Sequence, residues 1–155
     1  MTAQRIGGEL GACLVEVVVP GQPVGKGRPR ASVQRGRVRM RTPPKTAAWE
    51  ALAAGWARVA WRGRPPIEEA VGVEVVAVLT RPKRLRRKTD APGRLVAAVK
   101  PDIDNICKAA IDALVLGRVL GDDNQVAELV ASKWYAAKDE GPSVVIRVCA
   151  LGGSE

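Results

Sequence analysis

Apolar side chains recur along the chain with two spacings, and the spacings divide it into a small set of elements. Leu14 to Val19 is β-branched and reads as a strand, stopped by Pro20-Gly21. Gly21 to Pro29 is rich in glycine and proline and reads as a loop. Ser32 to Arg41 suggests a short hairpin turning at Arg35-Gly36, whose alternation puts Arg37, Arg39 and Arg41 on one face. Thr46 can cap a helix running to about Trp61, with Trp49, Leu52, Trp56 and Val59 as the expected buried stripe; Pro65-Pro66 closes that segment. Val71 to Thr80 is a second strand, and Pro82 to Arg94 a charged loop. Leu95 to Val99 is a short extended segment before a helix over Asn105 to Leu116, stopped by Gly117. Gln125 to Ala136 fits helix or strand and is read as strand; Val144 to Ala150 is the last strand.

This alternation of strands and two main helices predicts an α+β fold, a small mixed sheet packed against two helices. No internal repeat or composition break divides it. A single domain over 1–155 follows, with an ordered core over about 12–150, a mobile basic loop over 81–94 and a frayed tail from Gly152 to Glu155. No run approaches the roughly 18–20 apolar residues of a membrane span, and Met1 to Leu10 lacks the pattern of a secretory signal. The three cysteines, Cys13, Cys107 and Cys149, are too few and too scattered for a disulfide framework or a zinc site, which points to the cytoplasm. There is no histidine, so hydrolytic chemistry must run on carboxylates, lysines or hydroxyls.

Charge sharpens the picture. The net charge is +9 and the pI about 10.1, which favours a polyanionic partner. Lys26, Arg28, Arg30, Arg35, Arg37, Arg39, Arg41 and Lys45 follow one another with no acid among them. A second basic run, Arg81 to Lys100, contains Arg84, Arg86 and Arg87 and the single acid Asp90. Between Asp102 and Glu128 the balance reverses, with Asp102, Asp104, Asp112, Asp122 and Asp123 against only Lys108 and Arg118. Each basic run is either a solvated face or a phosphate-holding surface.

The acidic stretch reads KPDIDNICKAAIDAL over residues 100–114. In an extended chain Asp102 and Asp104 would aim at one point. Helical spacing then stacks Asp104, Lys108 and Asp112 on one stripe, with Ile106, Ala110, Ala113 and Leu114 facing the core. Asp122-Asp123 follows in GDDNQV, residues 121–126, a sequence suited to a tight turn. Clustered carboxylates are tolerable with a cation between them, and Mg²⁺ takes such hard oxygens. The structural alternatives are an Asp104 helix cap, a plain Asp-Asp-Asn turn and a Lys108–Asp112 surface ion pair. Trp49, Trp56 and Trp61 read as core or dimer interface, Trp134-Tyr135 as core or stacking platform, and Cys107 as packing.

Taken with GQPVGKGRPR over 21–30 and RTPPKTAAWE over 41–50, these strings resemble the signature of the RusA-type Holliday-junction resolvases, in the right order from about Val15 to Val148. The resemblance implies a homodimer that cuts four-way DNA junctions symmetrically in recombination and repair, using Mg²⁺ with Mn²⁺ as an alternative ion and no small-molecule cofactor. It carries the metal-binding, catalytic carboxylates onto Asp102, Asp104 and Asp123, and the catalytic lysine onto Lys108. Asp112 and Asp122 match supporting acidic positions, and Lys26, Arg28 and Arg30 fall in a loop of the family pattern. With Arg35, Arg37, Arg39, Arg84, Arg86 and Arg87 they are the expected DNA contacts. Some members carry an aromatic residue before the acidic pair, where this chain has Leu120-Gly121. The competing expectation is a non-catalytic, basic nucleic-acid-binding protein, which explains the charge but not the acids within it.

Overall fold

The structure is a computed structural model and describes residues 10–152. The readings of the first ten residues and of the terminal tail fall almost wholly outside the described residues. The strands are β1 (Cys13–Pro20), β2 (Arg30–Gln34), β3 (Arg37–Arg41), β4 (Val71–Leu79), β5 (Leu95–Val96), β6 (Val126–Tyr135) and β7 (Ser143–Ala150). The helices are α1 (Pro44–Trp61) and α2 (Ile103–Leu116). Five strands form one sheet in the order β1-β7-β4-β6-β5, and β2-β3 form a separate ribbon. Among the strand pairs of the described residues, only β4–β6 is parallel. The β4-to-β6 connection is the segment that carries β5, α2 and the acidic motif, as the length of a parallel crossover permits. The fold is the α+β arrangement that the pattern predicts.

Alternation along the strands places the core. Val15, Val17 and Val19 of β1 are buried while Leu14, Glu16 and Val18 are not. They join Val73, Val75, Val144, Ile146 and Val148 beneath the two helices, where Ala53, Ala57, Ile106, Ala110 and Leu114 complete the cluster. The opposite sheet face is polar in part. Arg147 on β7 lies between Glu16 on β1 and Glu74 on β4, at 2.7 and 2.6 Å, and both carboxylates raise its pKa.

Two details of α1 depart from the sequence expectation. The helix begins at Pro44, with Pro43 as N-cap and no side-chain cap bond, so Thr46 does not cap it. Thr46 is instead buried; its hydroxyl donates to the Gly25 carbonyl and accepts from the Gly27 N–H, both at 3.1 Å. The buried face also differs. Trp49 is buried, yet Leu52, Trp56 and Val59 are 48%, 45% and 72% exposed. The side that turns inward carries Ala53, Ala54, Ala57 and Trp61. Small residues win because α1 and α2 approach closely: a methyl group on Gly117 would lie 2.8 Å from the Ala54 carbonyl oxygen. Helix backbones that close gain dispersion contacts that a leucine and tryptophan ridge would prevent.

Candidate active site and nucleic-acid interface

The approach to the acidic motif is fixed by the strand beside it. Lys133 on β6 donates its ammonium to the carbonyl oxygens of Val99 and of Pro101, the latter at 2.9 Å. The Lys100–Pro101 peptide is cis. Asp102 then takes an extended conformation at the N-cap of α2 but makes no side-chain cap bond. Because the helix begins at Ile103, the extended spacing that would aim Asp102 and Asp104 together ends one residue too early. Asp104 instead occupies the first turn, where a carboxylate is favoured by the helix dipole. Asp104, Lys108 and Asp112 run down one side of α2, while Ile106, Ala110, Ala113 and Leu114 are fully buried on the other. Burial raises the Cys107 thiol pKa, and the nearby Asp104 charge adds to the effect.

Asp123 reaches this file from a different direction. The turn after α2 packs Leu120 into the core, and Asp122 caps a short 3₁₀ turn by accepting from the Asn124 N–H at 3.0 Å. Gln125 ties the turn together. Its carbonyl oxygen accepts from the N–H groups of Gly121 and Asp122 at 2.8 Å, and its amide nitrogen donates to the carbonyls of Ile67 and Glu69. The two acids titrate as a pair: the Asn124 N–H holds Asp122 below the usual carboxylate range, while Asp122, and then the nearby Asp112, push Asp123 up. Asp123, Asp112 and Lys108 line one cavity of about 230 Å³.

The basic loop meets the motif from above. The Lys26 N–H donates to the Asn105 carbonyl at 2.9 Å. Its ammonium is shared between Glu50 of α1 and Asp112 of α2, at 2.8 and 2.9 Å. Glycine beside it eases this contact, because a methyl group on Gly25 would lie 3.0 Å from the Pro101 Cβ. Lys26 therefore lines two spaces. One, about 400 Å³, contains Glu50, Asp112, Asp122 and Asp123. The other, about 730 Å³, is a cleft with Arg28, Arg30, Lys45 and Lys100 on its wall and Asp102 at its edge.

The arrangement brings Lys108, Asp112 and Asp123 together and sets Asp102 in the basic cleft. Among the described residues, no three Asp, Glu or Cys side chains converge closely enough to form a ready cation cage. Asp102, Asp104 and Asp123 share no cavity among the described residues: Asp102 lines the basic cleft and Asp123 the two acidic spaces. Their carboxylate oxygens are of the kind a hard divalent ion takes, one or two at a time, with water and phosphate completing its shell. The side chains of Asp102, Asp104 and Lys108 make no hydrogen bond or ion pair among the described residues. Glu16, Glu74, Asp90 and Glu140, by contrast, are each paired with an arginine.

The second basic run divides between architecture and surface. Arg81 is 3% exposed and donates to the carbonyls of Leu85, Gly93 and Ala91, so it is a staple of the loop. Arg87 is held bidentately by Asp90, whose carboxyl it keeps below the ordinary range, and Arg86 donates to the Lys138 carbonyl. Arg84 is exposed and makes no such contact among the described residues. Glu50, Gln125 and Lys133 are not singled out by the sequence, and Thr46 is given a different role there, since a single Glu, Thr, Gln or Lys in an element carries no local signal of a partner far along the chain.

A cationic cleft that runs into a file of carboxylates defines a class of protein that handles a polyanion and acts on it through an acidic centre. The chain matches the family model for endodeoxyribonuclease RusA over residues 20–149, and it belongs to that family. Its members are endonucleases, hydrolases acting on DNA. The chain is also 33% identical over 141 residues to the uncharacterized protein YqaN of Bacillus subtilis (strain 168), covering 86% of this chain and 94% of that protein.

Proposed function

We propose that the protein is a Mg²⁺-dependent endonuclease that resolves four-way DNA junctions by paired phosphodiester hydrolysis, in DNA recombination and repair in the cytoplasm. Mn²⁺ is the alternative ion. The observation that carries the reading is that Lys26 lines both the basic cleft that holds Asp102 and the space that holds Asp112, Asp122 and Asp123, with Asp104 and Lys108 on the same side of α2 as Asp112. Exposed carboxylates beside a basic wall can take a cation that arrives with a bound phosphate.

Asp102, Asp104 and Asp123 would hold the ion. When bound, it supplies positive charge at the scissile phosphate and lowers the pKa of coordinated water. The chain's own residues do the rest. Lys26, Arg28 and Arg30 seat phosphates in the cleft, and the hairpin arginines Arg35, Arg37 and Arg39, with Arg84, Arg86 and Arg87, extend the contact. Lys108 stands on the helix side between the acids and orients the phosphate under attack. A junction has two equivalent strands to cut, so a two-fold homodimer supplies one site to each. The exposed Leu52, Trp56 and Val59 stripe offers surface for such a contact.

Asp102→Asn and Asp123→Asn should lower Mg²⁺-dependent junction cleavage by at least about 100-fold. Junction affinity should be kept or improved, because phosphate no longer meets a carboxylate. Wild-type cleavage by either variant refutes the assignment. Strong, salt-sensitive binding by the native protein with no metal-dependent nicking would support the alternative of a non-catalytic basic binder.

A further inference from the structure

The β2–β3 ribbon has two chemically opposite faces. Cross-strand partners lie on the same side of a ribbon, and successive residues on opposite sides. The register pairs Arg30 with Arg41, Ser32 with Arg39 and Gln34 with Arg37, which gathers four arginines on one face. It pairs Ala31 with Met40 and Val33 with Val38, which makes the other face wholly apolar. That apolar face is uncovered: Val33, Val38 and Met40 are 73%, 69% and 64% exposed. The ribbon belongs to neither edge of the main sheet. Its turn is built for two strands alone, with Arg35 and Gly36 at φ 50° and 72°, the signature of a tight two-residue hairpin.

A two-stranded hairpin in water is marginally stable, and its apolar face gains by being covered. The arginines on its reverse indicate what covers it. They continue the basic cleft, since Arg30 lines that cleft and Lys45 follows the second strand onto its wall. A partner must therefore offer phosphates and apolar planes within one ribbon's thickness. Continuous duplex offers phosphates but keeps its base planes stacked. A branch point offers both once it is held open, because base pairs at the exchange then lose a stacking neighbour.

Resting on the reading above, we infer that the β2–β3 ribbon is the branch-recognition element: its arginine face holds phosphates while Val33, Val38 and Met40 lie against unstacked base planes at the crossover. The apolar face thus supplies preference for branched over linear DNA. The arginine face supplies affinity for both. Apolar wedges of this kind are a general means of holding DNA at an opened step, and methionine's flexible thioether suits an irregular surface.

The test compares the triple variant Val33→Thr, Val38→Thr, Met40→Gln with Arg37→Gln/Arg39→Gln. Threonine preserves the strand preference, and circular dichroism confirms the fold. Affinity is measured for a four-way junction and for linear duplex of the same arm sequence, with 2-aminopurine at the branch point. The apolar variant should lose the junction-over-duplex ratio by roughly tenfold or more and should lose the binding-induced rise in 2-aminopurine fluorescence. The arginine variant should bind both DNAs more weakly with the ratio kept. An unchanged ratio in the apolar variant overturns the inference. So does an unchanged ratio with a lowered sedimentation mass, which would assign the face to a second copy of the chain. Wild-type cleavage of the same junction with Mg²⁺, measured alongside, reports on the nuclease reading itself and separates its failure from that of the ribbon.

Discussion

Arg81→Met is the sharpest probe of how the second basic run works. The guanidinium is 3% exposed and donates to three carbonyls spread over the loop, Leu85 at 2.7 Å, Gly93 at 2.9 Å and Ala91 at 2.5 Å. A hydrogen bond from a charged donor contributes about 1.5–3 kcal/mol. Burying a guanidinium without a carboxylate is itself costly, so the low end of that range applies. Three bonds then give about 4–5 kcal/mol. The freed carbonyls sit in a surface loop and regain water, which returns about 1.5 kcal/mol and leaves a net loss near 3 kcal/mol. Methionine keeps the apolar stem, so packing beside β4 changes little. At about 2–4 °C per kcal/mol, the melting temperature should fall by roughly 6–12 °C. Amide exchange should show where the loss begins, with protection over 82–94 collapsing before that of β4 and β6. Arg84→Ala, in the same loop but outside the staple, should leave both readouts unmoved. A native melting temperature and native loop protection in Arg81→Met would refute the staple.

The carboxylate substitutions above test the chemistry; three further changes test its scaffold. Gln125→Ala removes the four hydrogen bonds that fix the Asp122-Asp123 turn. It should slow junction cleavage by about 10–100-fold with junction affinity unchanged, as loss of a positioning group does; single-turnover kinetics and a binding isotherm separate the two. Thr46→Val breaks the hydroxyl bridge between Gly25 and Gly27. It should cost about 1–3 kcal/mol in urea unfolding and weaken junction binding, since Lys26 lies between those glycines. The thiols should respond in order of exposure: at pH 8 Cys13 is alkylated first and Cys149 is spared, because burial, then Cys13, pushes the Cys149 pKa up to about 11. A thiol whose pKa is raised on folding contributes stability that is full below its unfolded value and lost as pH rises towards 11. Labelling of Cys149 should therefore climb over that alkaline window, and rapid labelling at pH 8 would contradict its burial.

How far the sequence predicted the site depends on how local each cause is. The strands β1 and β7 were legible because valine alternation is itself the physical reason they lie half-buried on a sheet, and the central β4 because its dense valine run suits burial on both faces. The buried side of α2 was legible for the same reason, since its small and branched residues recur at helical spacing while Asp104, Lys108 and Asp112 occupy the other side. In α1 the same rule pointed the wrong way. Two apolar stripes coexist there, one of Leu52, Trp56 and Val59 and one of Ala53, Ala54 and Ala57, and hydrophobicity alone favours the larger residues. What selects the alanines is the neighbour, Gly117 against the Ala54 carbonyl, and no periodicity within α1 encodes a distance to another helix. Thr46 failed likewise: a threonine near a helix start has the chemistry of a cap, but its hydroxyl met a better partner in the folded-back 25–27 loop. Spacing and resemblance propose the acidic residues, yet not their grouping. Asp123 draws close to Asp112 because Gln125 ties the Asp122-Asp123 turn to Ile67, and Lys26 joins Asp112 because glycines let a loop from the chain's first quarter rest on α2. Each of those links spans a long stretch of sequence and uses an unremarkable residue at one end. Spacing can therefore propose ligands, whereas the order in which they face one another is a property of tertiary packing, and that order determines which carboxylate substitution should abolish cleavage and which should only slow it.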